Sequence, residues 1–422
     1  MPGRAGLSCS FGRRILGAAF PSAPQIIMKI LHTSDWHLGR SFGPASLLQA
    51  QQAFLDWLIA QCREHQVGLV VMAGDVFDRA VAPTEAVVMF RNALERMLDT
   101  GAIVAVITGN HDGADRVASY DTLLDLSGAY VRGGYTNPGD VLHLHFPDGP
   151  LDVVMLPFLD PQAAPDDYPD ATDVPVDATS DGAFERRVRR THQSVLRSAI
   201  AAARGNLTAS RSVAIAHAYV AGATTSESER QLSVGGTGTV DAALFDGFSY
   251  TALGHLHRPQ TVGGRDTLRY AGSPMAYSFS ESQPKSIAIV DMAPDGTCTT
   301  ETVPVPVGRA VVTLTGTMDE LLSTTPPTSV VESFVRAIVT DPGVVLDAKQ
   351  RLSAVYPHVV EIDLRPPVAS GTSGSGSFEL ATMLPEDAIE AFWLDSIGAN
   401  PADDERALLH QAVAEARLKV TA

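Results

Sequence analysis

Five times between residues 28 and 257, an apolar run that reads as a β-strand gives way to side chains suited to hard or borderline cations. The five stretches are Asp35-Trp36-His37, Gly74-Asp75-Val76-Phe77-Asp78, Gly109-Asn110-His111-Asp112, the lone His217, and Gly254-His255-Leu256-His257. This recurrence constrains the fold strongly, because what repeats is a position at a strand end as well as a residue type. Residues two apart at an extended strand end project to one face, so His255 and His257 converge on one spot above a sheet edge. Two histidines at that spacing are a weak signal by themselves. His143 and His145 repeat it, but they sit between leucine and phenylalanine within an apolar run and read as ordinary strand residues.

The intervening segments switch period in a regular way. Residues 26–31 read as a strand, 45–63 as a helix, 67–73 as a buried strand, 83–98 as a helix with Pro83 near its first turn, and 102–108 as a strand. That alternation implies a parallel sheet covered on both faces, and ligands of such sheets bind beyond the carboxyl ends of the strands. The second half is richer in strands, at 141–146, 151–156, 213–217, 250–254, 267–271 and 286–292, with one helix around 184–203. It predicts a second sheet packed on the first.

After Val307 the register changes. Strands at 310–314, 334–339 and 359–364 with helices at 318–322 and 345–356 predict a small α+β unit that holds no ligand-type cluster. Pro366-Pro367 and the Gly/Ser run 371–377 predict a flexible linker. Two short amphipathic helices close the chain, with Ile389, Phe392, Trp393 and Ile397 on one face of the first and Leu409, Val413, Ala416 and Val420 along the second. The expected division is therefore an extension over 1–27, a catalytic domain over 28–306, a small domain over 307–366, a linker over 367–377 and a helical segment over 378–422.

Two divalent cations a few ångströms apart need a shared carboxylate, further nitrogen and oxygen ligands, and open positions for substrate oxygens. Asp35, His37 and His257 supply one set, Asn110, His217 and His255 another, with Asp75 between them. Gly74, Gly109 and Gly254 allow tight turns beside a charged centre. His111 is left over, placed to neutralise developing charge or to protonate a leaving oxygen, and Asp112 is placed to orient it or its loop. Asp78 either tunes a ligand from behind or caps the following turn. His32 reads as a packed or hydrogen-bonded residue. Arg40, Arg79, Arg116 and Arg258 lie within a few residues of these blocks and are candidates for phosphate contact.

The five ordered blocks resemble the signature of the calcineurin-like metallophosphoesterase superfamily: Asp-X-His, Gly-Asp-X-X-Asp, Gly-Asn-His-Asp, a later His, and Gly-His-X-His. The stretches 28–39, 74–78 and Tyr270-Ala271-Gly272-Ser273-Pro274 are more specifically similar to the bacterial SbcD nuclease family. The resemblance implies a two-sheet αββα sandwich, a small α+β cap domain for DNA and a helical tail. It also implies two divalent ions, Mn²⁺ foremost, and exonuclease action on duplex DNA with endonuclease action on single strands or hairpins, in repair, replication and recombination. The implied partners are DNA, a second copy of the chain, and an SMC-like ATPase of the SbcC type that gates the activity with ATP and completes a heterotetramer.

Other classes stay open at this point. A cyclic-nucleotide phosphodiesterase or protein phosphatase would use the same seven ligands, without needing a linker and docking tail. A non-catalytic scaffold would be expected to have lost ligands, and none is missing. A net charge of −17 argues against a generally basic nucleic-acid coat but not against a local basic patch. With 422 residues, 45% of them hydrophobic, the chain can bury a core for two or three domains. Cys9, Cys62 and Cys298 show no pairing or zinc-type spacing, which fits reduced thiols in the cytoplasm, and no apolar run approaches a membrane span. The first 27 residues, with Arg4, Arg13, Arg14 and a short apolar piece running into Pro21, read as a disordered extension or an early start ahead of Met28, a signal peptide being the alternative.

Overall fold

A computed structural model describes residues 27–169, 190–229, 238–343, 345–366 and 384–420. Residues 1–26 of the expected extension, the expected linker and the first part of the helix expected from 184 lie outside the described residues. Two compact units divide the chain after Val311.

The first unit is built on two six-stranded sheets. Its main elements are β1 (Met28–Thr33), α1 (Leu48–Glu64), β2 (Leu69–Ala73), α2 (Thr84–Leu98), β3 (Ile103–Ile107), β4 (Ala129–Arg132), β5 (Asp140–Phe146), β6 (Gly149–Leu156), α3 (His192–Arg204), β7 (Ser212–His217), β8 (Tyr250–Gly254), β9 (Gln260–Val262), β10 (Arg265–Tyr270), β11 (Ser286–Met292) and β12 (Cys298–Pro304). One sheet runs β12-β11-β1-β2-β3-β4, the other β9-β10-β8-β7-β6-β5. From β1 to β4 the pairing is parallel, as it is across β10-β8-β7-β6, and antiparallel strands close the edges.

Burial explains the patterns read from the sequence. Strand β2, Leu-Val-Val-Met-Ala, is buried at every position, as a central parallel strand covered on both faces must be. Its residues Leu69, Val71 and Ala73 join Ile30, Ala105 and Ile107 against Leu151, Val153, Met155, Val213, Ile215 and Ala252 of the other sheet, forming the core between the sheets. The alternate residues Leu31, Val70, Met72, Val104 and Val106 are buried on the opposite face. The second sheet's outer face packs Val154, Leu156, Ala214, Ala216 and Leu253 under Val195, Leu196, Ala199, Ile200 and Ala203 of α3.

Some boundaries differ from expectation, each for a local reason. Helix α1 starts at Leu48 because Ala45–Ser46 pairs with Ser41–Phe42 in a small hairpin. Helix α3 starts at His192, since extended Thr191 caps it, its side chain accepting from Ser194 N while Ser194 returns the bond. Strand β12 was not expected, because Cys-Thr-Thr-Glu-Thr-Val-Pro has no apolar face. It forms by pairing antiparallel with β11 along its whole length, from Ser286↔Pro304 to Met292↔Cys298.

The second unit, whose boundary falls at the first residue of β13 (Val311–Gly316), holds α4 (Met318–Ser323), β14 (Phe334–Val339), α5 (Ala348–Ser353) and β15 (Val359–Leu364), with strand order β13-β14-β15. Met318, Leu321, Val335, Ala337, Val339, Leu352, Tyr356 and Val359 are its core. Helix α5 is shorter than the expected 345–356, because Asp347 takes a left-handed conformation (φ 55°) at its start. The tail forms α6 (Pro385–Ile397) and α7 (Asp403–Val420). Glu390 links them, accepting from Arg406 Nε at 3.2 Å and contacting His410 Nε2 at 2.6 Å. No helix of the described residues is long and apolar enough to cross a membrane.

Candidate metal centre

All five ligand-type stretches meet at the carboxyl ends of β1, β2, β3, β7 and β8. The loops are zipped together through the backbone: Asp35 N–H donates to the Gly74 carbonyl and His37 N–H to the Asp75 carbonyl, both at 3.0 Å. Asp112 joins a third loop to them, its carboxylate accepting from Val76 N (3.1 Å), Phe77 N (2.8 Å) and Gly109 N (2.8 Å). It therefore fixes the loop rather than the His111 ring. Across to the second sheet, Asp35 Oδ1 accepts from His255 N at 2.9 Å. Such close approach depends on glycine. A Cβ on Gly109 would stand 2.2 Å from Asp75 Oδ1, and one on Gly254 1.8 Å from the Ala73 carbonyl oxygen.

Among the described residues, six non-glycine residues have positive φ, and four of them are Asp35 (52°), His37 (45°), Asp75 (53°) and His255 (108°). Each such conformation costs about 1–3 kcal/mol and persists only where the surroundings over-determine it. Four of the seven expected donor residues therefore carry this strain.

Those atoms form two adjoining groups. In one, His37 Nε2 and His257 Nε2 lie 3.1 Å apart, with an Asp35 ligand atom within 4.8 Å of the ligand atoms of both residues. In the other, Asn110 Oδ1 is 2.9 Å from His217 Nε2 and 3.0 Å from His255 Nδ1. Asp75 Oδ2 stands between the groups, 3.5 Å from both His37 Nε2 and His217 Nε2. The protonation pattern fits cations. His217 Nδ1 lies 2.9 Å from the Ala73 carbonyl oxygen, which can only accept, so Nδ1 carries the ring proton. Its Nε2 then points a bare lone pair at two acceptors, Asn110 Oδ1 and Asp75 Oδ2. An imidazole nitrogen without its proton, beside a carboxylate and an amide, is the donor set a divalent cation takes.

Electrostatics agree. Burial, reinforced by neighbouring imidazoles, holds His37 and His255 well below the usual histidine range. Burial also lowers His217, opposed by the Asp75 charge. Burial and then the Asp75 carboxylate push Asp35 well above the usual carboxylate range, and the same two causes bring Asp112 up to about 7.

His111 sits at the rim, half-buried. Its backbone N–H donates to Asp75 Oδ1 at 2.8 Å, and its Nδ1 lies 2.9 Å from the Asp78 carbonyl oxygen, which leaves Nε2 for proton exchange. The Asp78 carboxylate accepts from Arg40 at 3.0 Å and lies 3.7 Å from His37 Nδ1. Arg40 also stacks on the Tyr277 ring at 4.8 Å. The Arg79 side chain is 81% exposed, and Arg116 and Arg258 are exposed.

His143 and His145 project from the solvent face of edge strand β5. His32 is buried, with Nδ1 3.0 Å from the Tyr250 hydroxyl and Nε2 3.1 Å from the Leu253 carbonyl, and burial brings it down to about 3. Sequence reasoning missed Gln51, whose Nε2 donates to the His37 carbonyl at 2.8 Å, and Tyr277, edge-on to the rings of His37 and His257 at 5.2 and 5.4 Å. It also missed Glu229, which accepts from His257 N at 2.8 Å, and Glu281. Burial opposes ionisation of Glu281, but contacts with His257 and Lys285 outweigh it and hold the carboxyl well below the usual range.

Comparison with known proteins finds related sequences in both units. A family model for the calcineurin-like phosphoesterase matches residues 28–163, and one for the type 5 capsule protein repressor C-terminal domain matches residues 307–396. The chain is similar to the SbcD subunit of the nuclease SbcCD of Bacillus subtilis (strain 168), 35% identical over 68% of this chain and 71% of that one. It is 29% identical to the protein of the same name from Escherichia coli (strain K12), over 68% of this chain and 71% of that one. A solved dimetal phosphatase from Danio rerio is similar at 12% identity and a TM-score of 0.34, covering 66% of this chain and 96% of that one.

Proposed function

We propose, from the premise that this chain belongs to the SbcD family of SbcCD nucleases, that it hydrolyses DNA phosphodiester bonds at the centre formed by Asp35, His37, Asp75, Asn110, His217, His255 and His257. Duplex ends are cut exonucleolytically, and single strands or hairpins endonucleolytically. The observation that carries this reading is the pair of donor sets on either side of Asp75, whose Oδ2 stands 3.5 Å from a histidine nitrogen of each. Divalent ions held there, Mn²⁺ foremost, would supply an activated water and neutralise charge on phosphoryl oxygens. The chain's own residues hold those ions, and His111 Nε2 exchanges a proton with, or neutralises charge on, the leaving oxygen. The protein works in the cytoplasm as a homodimer, joined to an SMC-like ATPase in a heterotetramer.

The deciding experiment is digestion of end-labelled duplex, hairpin and single-stranded DNA with Mn²⁺, with and without the ATPase and ATP. Exhaustive EDTA treatment is expected to abolish cleavage and added Mn²⁺ to restore it. Cleavage that survives chelation overturns the metal reading. Hydrolysis of bis(nitrophenyl) phosphate without any DNA cleavage points to another phosphodiester as substrate.

We assign the small domain over 307–366 to positioning duplex DNA and the tail to docking the ATPase. The apolar face of the first tail helix supports the second assignment: Phe392 is 69% exposed and Ile397 62%. Short amphipathic helices are marginal alone and gain stability by burying such faces. Truncation after Pro367 is expected to abolish co-purification with the ATPase while leaving Mn²⁺-dependent cleavage of a small phosphodiester largely intact. Undiminished complex formation by the truncated chain rules the assignment out.

A further inference from the structure

Behind the metal centre, a buried cluster decides which nitrogen of His257 faces it. Glu281, 2% exposed, lies in the loop between β10 and β11. Its Oε2 accepts from Lys285 Nζ and, at 3.2 Å, from Ser273 Oγ. Lys285 Nζ also donates to the His257 carbonyl at 2.9 Å, so the cluster grips the backbone of that residue as well. With a buried ammonium against it, the carboxylate is ionised and offers only lone pairs.

Ser228 Oγ lies 2.5 Å from Glu281 Oε1 and 2.6 Å from His257 Nδ1, bridging two atoms that stand 3.5 Å apart. A hydroxyl has one proton, and Glu281 can only accept it, so Ser228 donates to Glu281. The Ser228 oxygen must then accept from His257, which places the ring proton on Nδ1. His257 Nε2 is left as a lone pair, 3.1 Å from His37 Nε2. Direction runs through the whole chain of bonds from the charge on Glu281.

The geometry points to Ser228 and Glu281 as positioning residues that lock His257 in the Nδ1–H tautomer and so keep Nε2 available for a divalent cation. The assignment rests on the reading of the centre as a divalent-metal site. A neutral imidazole without such a partner favours the opposite tautomer, in which a proton occupies the ligand position. Hydrogen bonds of this kind orient a ligating ring and raise its basicity.

The test uses the full-length chain, first metal-free and then with Mn²⁺ alone. Long-range ¹⁵N–¹H spectra of the labelled histidines are expected to show His257 protonated at Nδ1. Ser228→Ala is expected to move that proton toward Nε2 and to weaken Mn²⁺ binding about 10- to 100-fold. Ser228→Thr keeps the hydroxyl and is expected to restore both. Ser228 is half-buried and uncharged, so its truncation strands no buried charge, as Glu281→Ala would do to Lys285. An unchanged His257 tautomer in Ser228→Ala overturns the assignment, as does unchanged Mn²⁺ affinity. If the wild-type chain takes up no Mn²⁺, the reading of the centre fails, and the tautomer spectra still decide the relay.

Discussion

Asp75→Asn is expected to lose both cations together, with cleavage falling about 10³-fold or more, because the metal pair supplies several kcal/mol of transition-state stabilisation and each 1.36 kcal/mol is a factor of ten. One carboxylate oxygen, Oδ2, is 3.5 Å from a nitrogen of each donor set. A neutral amide cannot bridge two dications, so neither set is completed. The substitution otherwise disturbs little. The amide oxygen can still accept the His111 N–H that Asp75 Oδ1 accepts at 2.8 Å, and removing the charge relieves the repulsion that raises Asp35. The metal-free variant is therefore expected to unfold no earlier than the metal-free wild type. Metal analysis after gel filtration is the check, and two ions retained per chain would mean that Asp75 does not bridge.

The centre was legible because its residues come in blocks at strand ends, and strand ends are where continuous apolar runs stop. Leu69 to Ala73 has no other reading than a buried strand, so Asp75 had to lie just past its carboxyl end. The pair His143 and His145 shows how much that context matters: the spacing equals that of His255 and His257, yet β5 carries its histidines mid-strand on a solvent face. What lay behind the ligands was not legible. Gln51, Ser228, Glu229 and Glu281 are polar residues on α1 or in loops, and nothing local distinguishes them from solvated ones. Only packing that joins distant segments makes them partners of His37 and His257. The left-handed conformations of Asp35, His37, Asp75 and His255 were equally hidden, because they oppose local preference and exist only through tertiary bonds. Strand β12 belongs with them, a Thr-rich segment made a strand by its neighbour alone.

His111 separates assembly of the centre from its chemistry. His111→Ala is expected to retain both ions and DNA affinity while cleavage falls about 10²- to 10⁴-fold, the range for a side chain that transfers a proton or meets charge in the transition state. Its contribution to assembly is made by the backbone, through the N–H that Asp75 accepts, and alanine keeps that bond. The ring is different. Nδ1 is committed to the Asp78 carbonyl, while the residue sits half-buried at the rim with Nε2 left for a leaving oxygen. The loop carrying it is held by Asp112 through Val76, Phe77 and Gly109 rather than through the ring, so truncation at Cβ leaves the loop anchored. The loss should consequently fall on kcat, with KM and Mn²⁺ stoichiometry close to wild type. Near-normal cleavage by a His111→Ala protein of normal metal content would remove His111 from the chemistry and leave the charge of the ions to stabilise the leaving oxygen by itself.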